Sequence, residues 1–248
     1  MMKNKNLIYG RHPVLDAIKS GKTIEKVFLM QGTTGPLEKE LRKLSQTNGF
    51  PLAMVPKEKL QKMVPQNHQG VAAQIALIEY KRIENILPFV FEKGEMPLFL
   101  ILDGVTDVRN LGAIARSALL CGVHAIIVPT KGSALVNADA VKSSAGAIQN
   151  IDICRVKSLV NTIKYLRESG VSVFATNIPS DKGLHELDLT GPTALIMGDE
   201  GEGVSKGVLK EVDKEFWIPQ IGDTNSFNVS VASGIVLYES LRQRHLQS

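Results

Sequence analysis

The chain is short of the features that mark specialised protein classes. It holds two cysteines, Cys121 and Cys154, with no metal-ligand spacing, which fits buried thiols in a reducing cytoplasm and not a disulfide framework. No apolar run approaches the ~18 residues of a membrane span. The N-terminus, Met1-Met2-Lys3-Asn4-Lys5-Asn6, leads into a strand-like run of four residues without a small-residue cleavage site. That pattern argues against a secretory signal. Internal repeats and low-complexity segments are absent too. What remains is the composition of an ordinary soluble globular protein, 44% hydrophobic and 22% charged over 248 residues, enough for two modest domains or one large one.

The net charge of +4 is unremarkable, but its distribution is uneven. Residues 1–80 carry 12 Lys and Arg against 6 Asp and Glu, and residues 81–248 carry 17 against 19. A basic small domain beside a near-neutral larger one suggests a polyanion-binding module joined to a catalytic one, with solvated surface lysine as the plainer alternative.

The pattern predicts strands at 7–10, 26–30, 51–55 and 71–78, with helices at 13–20, 36–48 and 57–63, a small α/β sandwich. Pro13 near a helix start, and Gly21 and Gly49 just past helix ends, mark the boundaries. Residues 79–96 are charged, weakly patterned and interrupted by Pro88, and read as a linker. Beyond them, strands are expected at 98–102, 124–129, 151–155, 171–176, 193–198 and 215–218, and helices at 110–121, 137–147, 158–168, 204–211 and 228–244. These later strands are apolar without alternation, as when both faces of a parallel sheet are covered.

Three segments stand where a predicted strand gives way to a helix, the place where α/β proteins build sites. They are Asn110-Leu-Gly-Ala-Ile-Ala-Arg116, Met197-Gly-Asp-Glu-Gly-Glu-Gly203 and Asn225-Ser-Phe-Asn-Val-Ser-Val-Ala232. Arg116, six residues after Asn110, is a long cation on an otherwise small, apolar helix. Its plain reading is an Arg reaching to solvent, with Asn110 as a helix cap. The second segment carries three acids and three glycines. It fails as a phosphate loop: the dinucleotide pattern needs Gly where Lys206 stands, and Gly-Lys-Ser/Thr is absent. An acidic, glycine-rich loop suits a neutral or cationic ligand better, and glycine lets backbone approach a ligand closely. In the third segment Ser226 is a candidate helix cap. Ser230, Ser233 and Gly234 form a small-residue face at helical spacing, narrow enough to admit a closely packed helix of a second subunit, or else to pack against the chain's own sheet or under a cofactor.

Together, Asn-x-Gly-x-x-x-Arg, Gly-x-Glu-Gly-x-Gly and Ser-x-Asn-Val-Ser-Val-Ala resemble the motifs of the SpoU (TrmH/SPOUT) family of RNA 2′-O-ribose methyltransferases. Gly10-Arg-His-Pro-Val-Leu-Asp-Ala17 and His68-Gln-Gly-Val-Ala-Ala73 resemble that family's substrate-binding domain, which is akin to ribosomal protein L30e. The resemblance thus covers nearly the whole chain, and the layout is most like the RlmB-type enzymes that methylate a guanosine of 23S rRNA. Asn225 stands where Glu is common, Phe227 where Leu is common, and Val108-Arg109 in place of a frequent Pro-containing pair.

The resemblance implies an L30e-like RNA-binding domain over 1–78, a linker over 79–96 and a methyltransferase domain over 97–248. The fold it implies is an α/β SPOUT parallel sheet with a C-terminal trefoil knot. It implies S-adenosylmethionine as cofactor, bound by Thr176, Met197, Gly198, Gly203, Ile218, Gln220 and Phe227. It implies Arg116 as the central catalytic residue, oriented with the ribose by Asn110, Glu200, Ser226 and Asn228. No metal is called for, and a cytoplasmic homodimer acting on RNA, rRNA first, is expected. Guanidinium stays protonated, so Arg116 suits donating hydrogen bonds to a nascent alkoxide and a phosphate better than acting as a base. On charge, Arg11, Lys22 and Lys26 are the expected RNA contacts of the first domain. A tRNA ribose methyltransferase, a resistance-type rRNA methyltransferase and a non-catalytic rRNA-binding factor are the alternatives.

Overall fold

The computed structural model describes residues 7–222 and 226–245. The chain divides into two compact units, Met1–Glu79 and Tyr80–Ser248. The first contains β1 (Leu7–Tyr9), α1 (Arg11–Lys19), β2 (Ile24–Met30), α2 (Pro36–Asn48), β3 (Leu52–Val55), α3 (Lys57–Met63) and β4 (Val71–Ile75). Its sheet has the order β1-β4-β2-β3, with β4 antiparallel to β1 and β2, and β3 parallel to β2. Strand periodicity divides β2 between two cores. Val27 and Leu29 pack with Val14, Ile18, Leu37 and Leu41 of α1 and α2, whereas Phe28 packs with Leu60 of α3. Pro36 opens α2, and Gly49, at φ 74°, closes it in the left-handed region that glycine enters without strain.

The second unit contains α4 (Ile83–Glu92), β5 (Leu98–Leu102), α5 (Val108–Leu120), β6 (Ala125–Pro129), α6 (Ala138–Ser143), β7 (Asp152–Val156), α7 (Leu159–Glu168), β8 (Ser172–Thr176), β9 (Thr193–Met197), α8 (Lys206–Leu209), β10 (Lys214–Phe216) and α9 (Val229–His245). The six strands are all parallel, in the order β10-β8-β9-β5-β6-β7. Every residue of β5 and β9 is buried, so both faces of the sheet are covered. On one face Phe99, Ile101, Ile127 and Ile196 pack with residues of α4, α7 and α8. The alternate positions of β5 point to the other face, where α5 and α9 pack on one another.

Two expectations are corrected here, and a third is narrowed. The stretch 79–96 is not a linker. It holds α4, whose Ile83, Ile86, Leu87 and Val90 are buried in the core of the second unit. Pro88 inside the helix and the flanking charges obscure its apolar face in the sequence. The helix expected to run to 147 stops at Ser143, because Ala145 and Gly146 adopt positive φ. The small strip of α9 is divided: Ser233 is fully buried within the chain, whereas Ser230 and Gly234 stay partly exposed, with a Cβ at Gly234 in ordinary contact range, 3.8 Å, of Ser117 Oγ of α5. The cysteines also differ from one another. Cys154 is buried and its thiol is pushed up to about 12 by burial, so it is no nucleophile, whereas Cys121 is partly exposed. Among the described residues no helix is long and apolar enough to cross a membrane.

Arg244 fastens the end of α9. Its guanidinium donates to four carbonyl oxygens, those of Leu189 at 3.0 Å, Met96 at 2.7 Å, Pro97 at 3.0 Å and Gly191 at 2.7 Å. These carbonyls belong to the segments that lead into β5 and β9. The planar fork serves acceptors that a lysine could not reach together. Arg244→Met is expected to cost roughly 2 kcal/mol of unfolding free energy, and Arg244→Lys to recover only part of it, as read from urea denaturation of the three proteins.

Candidate active site

The strand order sets where a site can form. The chain passes from β5 outward through β6 to β7, while β9, β8 and β10 lie on the other side of β5. The crevice beyond the carboxyl ends of β5 and β9 is therefore a topological switch point, the position at which open parallel sheets bind ligands. The segment after β5 carries Asn110, and the segment after β9 carries Glu200.

Asp107, not Asn110, caps α5: its Oδ1 accepts from the Arg109 amide at 2.6 Å. This frees the Asn110 side chain, whose Nδ2 donates to Glu200 Oε1 at 3.0 Å. Asn228 Nδ2 donates to the same Oε1, and to Asn110 Oδ1 at 3.3 Å. The Val229 amide, the first of α9, donates to Glu200 Oε1 at 3.3 Å. Asn228 also turns its Oδ1 to the Ser230 amide at 3.0 Å, so Asn228 takes the capping role expected of Ser226. Asn110, Glu200 and Asn228, separated by up to 118 residues in sequence, thus meet at one oxygen. Glu200 Oε2 has no protein donor among the described residues.

Arg116 is not in this cluster. Six residues on an α-helix advance about 9 Å and turn the side chain well away from that of Asn110. It is solvent-exposed, and no described residue pairs with it. Its expected orientation by Asn110, Glu200, Ser226 and Asn228 is not met within the chain. Ser226 lines the adjoining cleft, exposed, and Asn225 lies outside the described residues.

That cleft is formed by 176–178, 197–203, 216–218 and 220, with Ser226, Phe227, Val229 and Ala232. All the residues expected to bind a cofactor are in it: Thr176, Met197, Gly198, Gly203, Ile218, Gln220 and Phe227. Sequence reasoning missed Asn177, Ile178 and Trp217. The first two directly follow β8, and that position was the signal available. Asp199, Glu200 and Glu202 line the cleft, and no Lys, Arg or His does among the described residues. Its electrostatics suit a cation.

Glycine at 198 has a different reason from the one expected. A Cβ there would stand 2.1 Å from Gly203 C and 2.3 Å from Val204 N, so the space is claimed by the loop's own return and not by a ligand. Asp199 and Gly203 exchange backbone hydrogen bonds of 3.1 and 3.0 Å, and Asp199 Oδ1 accepts from the Gly201 amide at 2.8 Å. The result is a closed turn that holds Glu200 at its rim. Glycine at 112 acts similarly between helices: a Cβ would come within 2.7 Å of Ala140 O in α6.

The three expected RNA contacts of the first unit do not form one patch. Arg11 opens α1 at the carboxyl end of β1, whereas Lys22 follows α1 at the opposite end of the sheet, just before β2. Lys26 is half-buried, with Nζ 5.6 Å from the centre of the Phe28 ring.

Residues 97–238 match the SpoU rRNA Methylase family, and residues 7–81 match the RNA 2′-O ribose methyltransferase substrate-binding family. The 23S rRNA (guanosine-2′-O-)-methyltransferase RlmB of Yersinia pestis is 37% identical over 244 residues, 98% of this chain and 99% of that protein. The AdoMet-bound rRNA methyltransferase of Sinorhizobium meliloti superposes with a TM-score of 0.61 at 26% identity, over 98% of this chain and 88% of that one. The SpoU methyltransferase AviRb of Streptomyces viridochromogenes, in complex with AdoMet, has the same fold, with a TM-score of 0.61 at 24% identity over 97% and 90% of the two chains.

Since no backbone shift short of reopening the 199–203 turn can seat a methyl at 198, Gly198→Ala is expected to cost about 1–3 kcal/mol. It should also abolish exchange protection of the Gly203 amide, as seen by thermal melting and amide hydrogen exchange.

Proposed function

This chain belongs to the SpoU rRNA Methylase family, and from that membership we propose that it transfers a methyl group from S-adenosylmethionine to a ribose 2′-OH of RNA, a guanosine of 23S rRNA. The observation that carries the reading is the joining of Asn110, Glu200 and Asn228 at the rim of a cleft that is acidic and free of cations among the described residues.

The cleft fits the cofactor by the chemistry of its lining. Ile178, Met197, Ile218 and Phe227 offer apolar faces to a heteroaromatic ring, the loop backbone offers hydrogen bonds, and Asp199, Glu200 and Glu202 favour positive charge. When bound, S-adenosylmethionine supplies an electrophilic methyl group on a cationic sulfur. The chain's residues must then place the hydroxyl in line and take or share its proton. Glu200 Oε1 is occupied by three donors, which fix the carboxylate and leave Oε2 to accept from the 2′-OH. Arg116 stays protonated and serves by hydrogen bonds to the developing alkoxide and the neighbouring phosphate.

Arg116 stands clear of its own chain's cluster, and this bears on assembly. Leu120, Val231 and Tyr238 are 72%, 51% and 64% exposed on the α5–α9 layer, large apolar groups that a second copy of the chain would cover. A homodimer on this layer would bring Arg116 to a shared RNA surface. The reading also includes the knotted passage of the C-terminal segment, supported by 216–218, Gln220, Ser226, Phe227, Val229 and Ala232 lining the same cleft as 197–203. The basic first unit would hold RNA.

The test is transfer of labelled methyl to the rRNA and tRNA of a strain lacking the gene, with the modified positions mapped. Label in a 23S rRNA guanosine ribose supports the reading, and label confined to tRNA or absent from both overturns it. Arg116→Ala is expected to lower turnover ~10²–10³-fold with cofactor binding, by calorimetry, within a few-fold of wild type. Arg116→Lys should recover little, since the forked donor matters more than the charge. By sedimentation equilibrium at micromolar concentration the protein should have twice the 27.0 kDa of the chain, and Tyr238→Asp should halve it.

A further inference from the structure

A second pocket of the second unit opens beside the start of α5. It is formed by 106–109 together with Asp139, Lys142 and Ser143 of α6. Its walls are held at a fixed distance. A Cβ at Gly112 would come within 1.9 Å of Ser143 Oγ and 2.7 Å of Ala140 O, so α5 closes on α6 only because glycine stands there. Ser143 Oγ donates to Ala140 O at 3.2 Å and lies 3.5 Å from Val108 O. Side-chain caps fix where each helix begins. Asp107 Oδ1 accepts from the Arg109 amide, and Asn137 Oδ1 accepts from the Asp139 and Ala140 amides at 2.9 and 3.0 Å.

Charges of both signs line this pocket without cancelling one another. Asp139 and Lys142 lie three residues apart on the same face of α6, and Arg109 comes from the α5 side. All three are exposed, and none forms an ion pair with a described residue. Opposite charges at this spacing do pair elsewhere on the chain: Arg242 and Glu239 of α9 meet at 2.7 Å. The pocket also adjoins the Glu200 cluster. Side chains turn about 100° per residue around a helix. Arg109 therefore stands between Asn110, which reaches Glu200, and Val108, which lines the pocket. The Val108-Arg109 departure from the usual family pattern falls at this place.

We propose that this pocket receives the base of the nucleotide to be methylated and selects guanine. Unpaired bases in RNA are read by hydrogen bonds along their edges. Of the four RNA bases only guanine sets two donors, N1–H and the 2-amino group, side by side next to an acceptor, O6. A carboxylate takes the two donors with its two oxygens, and a cation beside it takes O6. Asp139 and Lys142 supply that pair from one face of α6, and Arg109 donates to N7 from the facing wall. Adenine would set the lone pair of its N1 against the carboxylate and its 6-amino group against the ammonium. A ribose held at Glu200 would then extend past Arg109, with its base across the start of α5. The proposal rests on RNA methyl transfer being the activity, and it gives guanosine selectivity a physical source.

The test uses the full, isotope-labelled chain, with guanosine, inosine and adenosine 5′-monophosphate as probes and backbone amide shifts as the readout. The guanosine nucleotide should shift the amides of 106–109 and 139–143. The inosine nucleotide, which lacks only the 2-amino group, should bind ~10-fold more weakly, and the adenosine nucleotide more weakly still. Asp139→Asn should bring the guanosine and inosine nucleotides within about 2-fold of each other, and Lys142→Gln should weaken both alike. Lys131→Gln, which removes an exposed cation that does not line the pocket, should leave all three affinities as they are. The proposal is overturned by absence of binding, by shifts confined to other residues, by equal affinity for the three nucleotides, or by a guanosine preference that survives Asp139→Asn. Methyl transfer to 23S rRNA from the strain lacking the gene is measured in parallel. Asp139→Asn should lower kcat/KM ~10-fold or more, with S-adenosylmethionine affinity unchanged by calorimetry. Transfer with unchanged kcat/KM in that variant removes the pocket and leaves the enzyme reading standing. Guanosine-selective shifts lost in that variant, with no methyl transfer by any form, do the reverse.

Discussion

Glu200 Oε1 receives hydrogen bonds from Asn110, Asn228 and the Val229 amide, and through it the segments after β5 and β9 and the start of α9 become one surface. A hydrogen bond to a charged group contributes about 1.5–3 kcal/mol when shielded. This cluster is solvent-exposed, so each bond contributes less and its value is chiefly positional. A carboxylate with one oxygen fully engaged cannot rotate freely, and its second oxygen has a defined direction. The acidic loop can hold this posture only because it folds back through Gly198, where a side chain would strike Gly203 and Val204.

The sheet supplies the frame for that contact. Parallel strands end on the same side, and the reversal of strand order between β5 and β9 leaves a crevice there that helices do not fill. The acidic cleft and the Glu200 cluster are two sides of the same 197–203 loop, so one closed turn positions both. Arg244, donating to carbonyls ahead of β5 and β9, fastens the far end of the helix that begins at Asn228. The site is thus held at both ends of α9.

The first unit works on a different principle. Its groove, where β1, β2 and β3 end and β4 begins, has cations, amides and a buried histidine but no acid, whereas the cleft of the second unit has acids and no cation among its described residues. The two surfaces have opposite electrostatic preferences, one for polyanion backbone and one for a cationic small molecule. The net charge of a whole unit does not show this, because what matters is which charges the loops gather at one end of a sheet.

Much of this was legible in the sequence, and the residues show why. Short apolar runs without alternation identified a covered parallel sheet, and Pro36 and Gly49 bounded their helix because proline and glycine act through local backbone sterics alone. The glycine-rich acidic loop read as unsuited to phosphate, and it lines a cleft without a cation among its described residues. Other features depended on distance in space. The burial of α4 was hidden by Pro88 and its charged flanks, since only the facing core shows which side of a helix is apolar by need. The capping of α5 by Asp107 in place of Asn110, the detachment of Arg116 from the cluster, and the separation of Arg11 from Lys22 across the sheet all follow from where helices begin and which way strands run. Local chemistry set the identity of the groups and the class of fold. Only tertiary structure decided which groups meet, because a hydrogen bond between residues 118 apart leaves no trace in either one's neighbours.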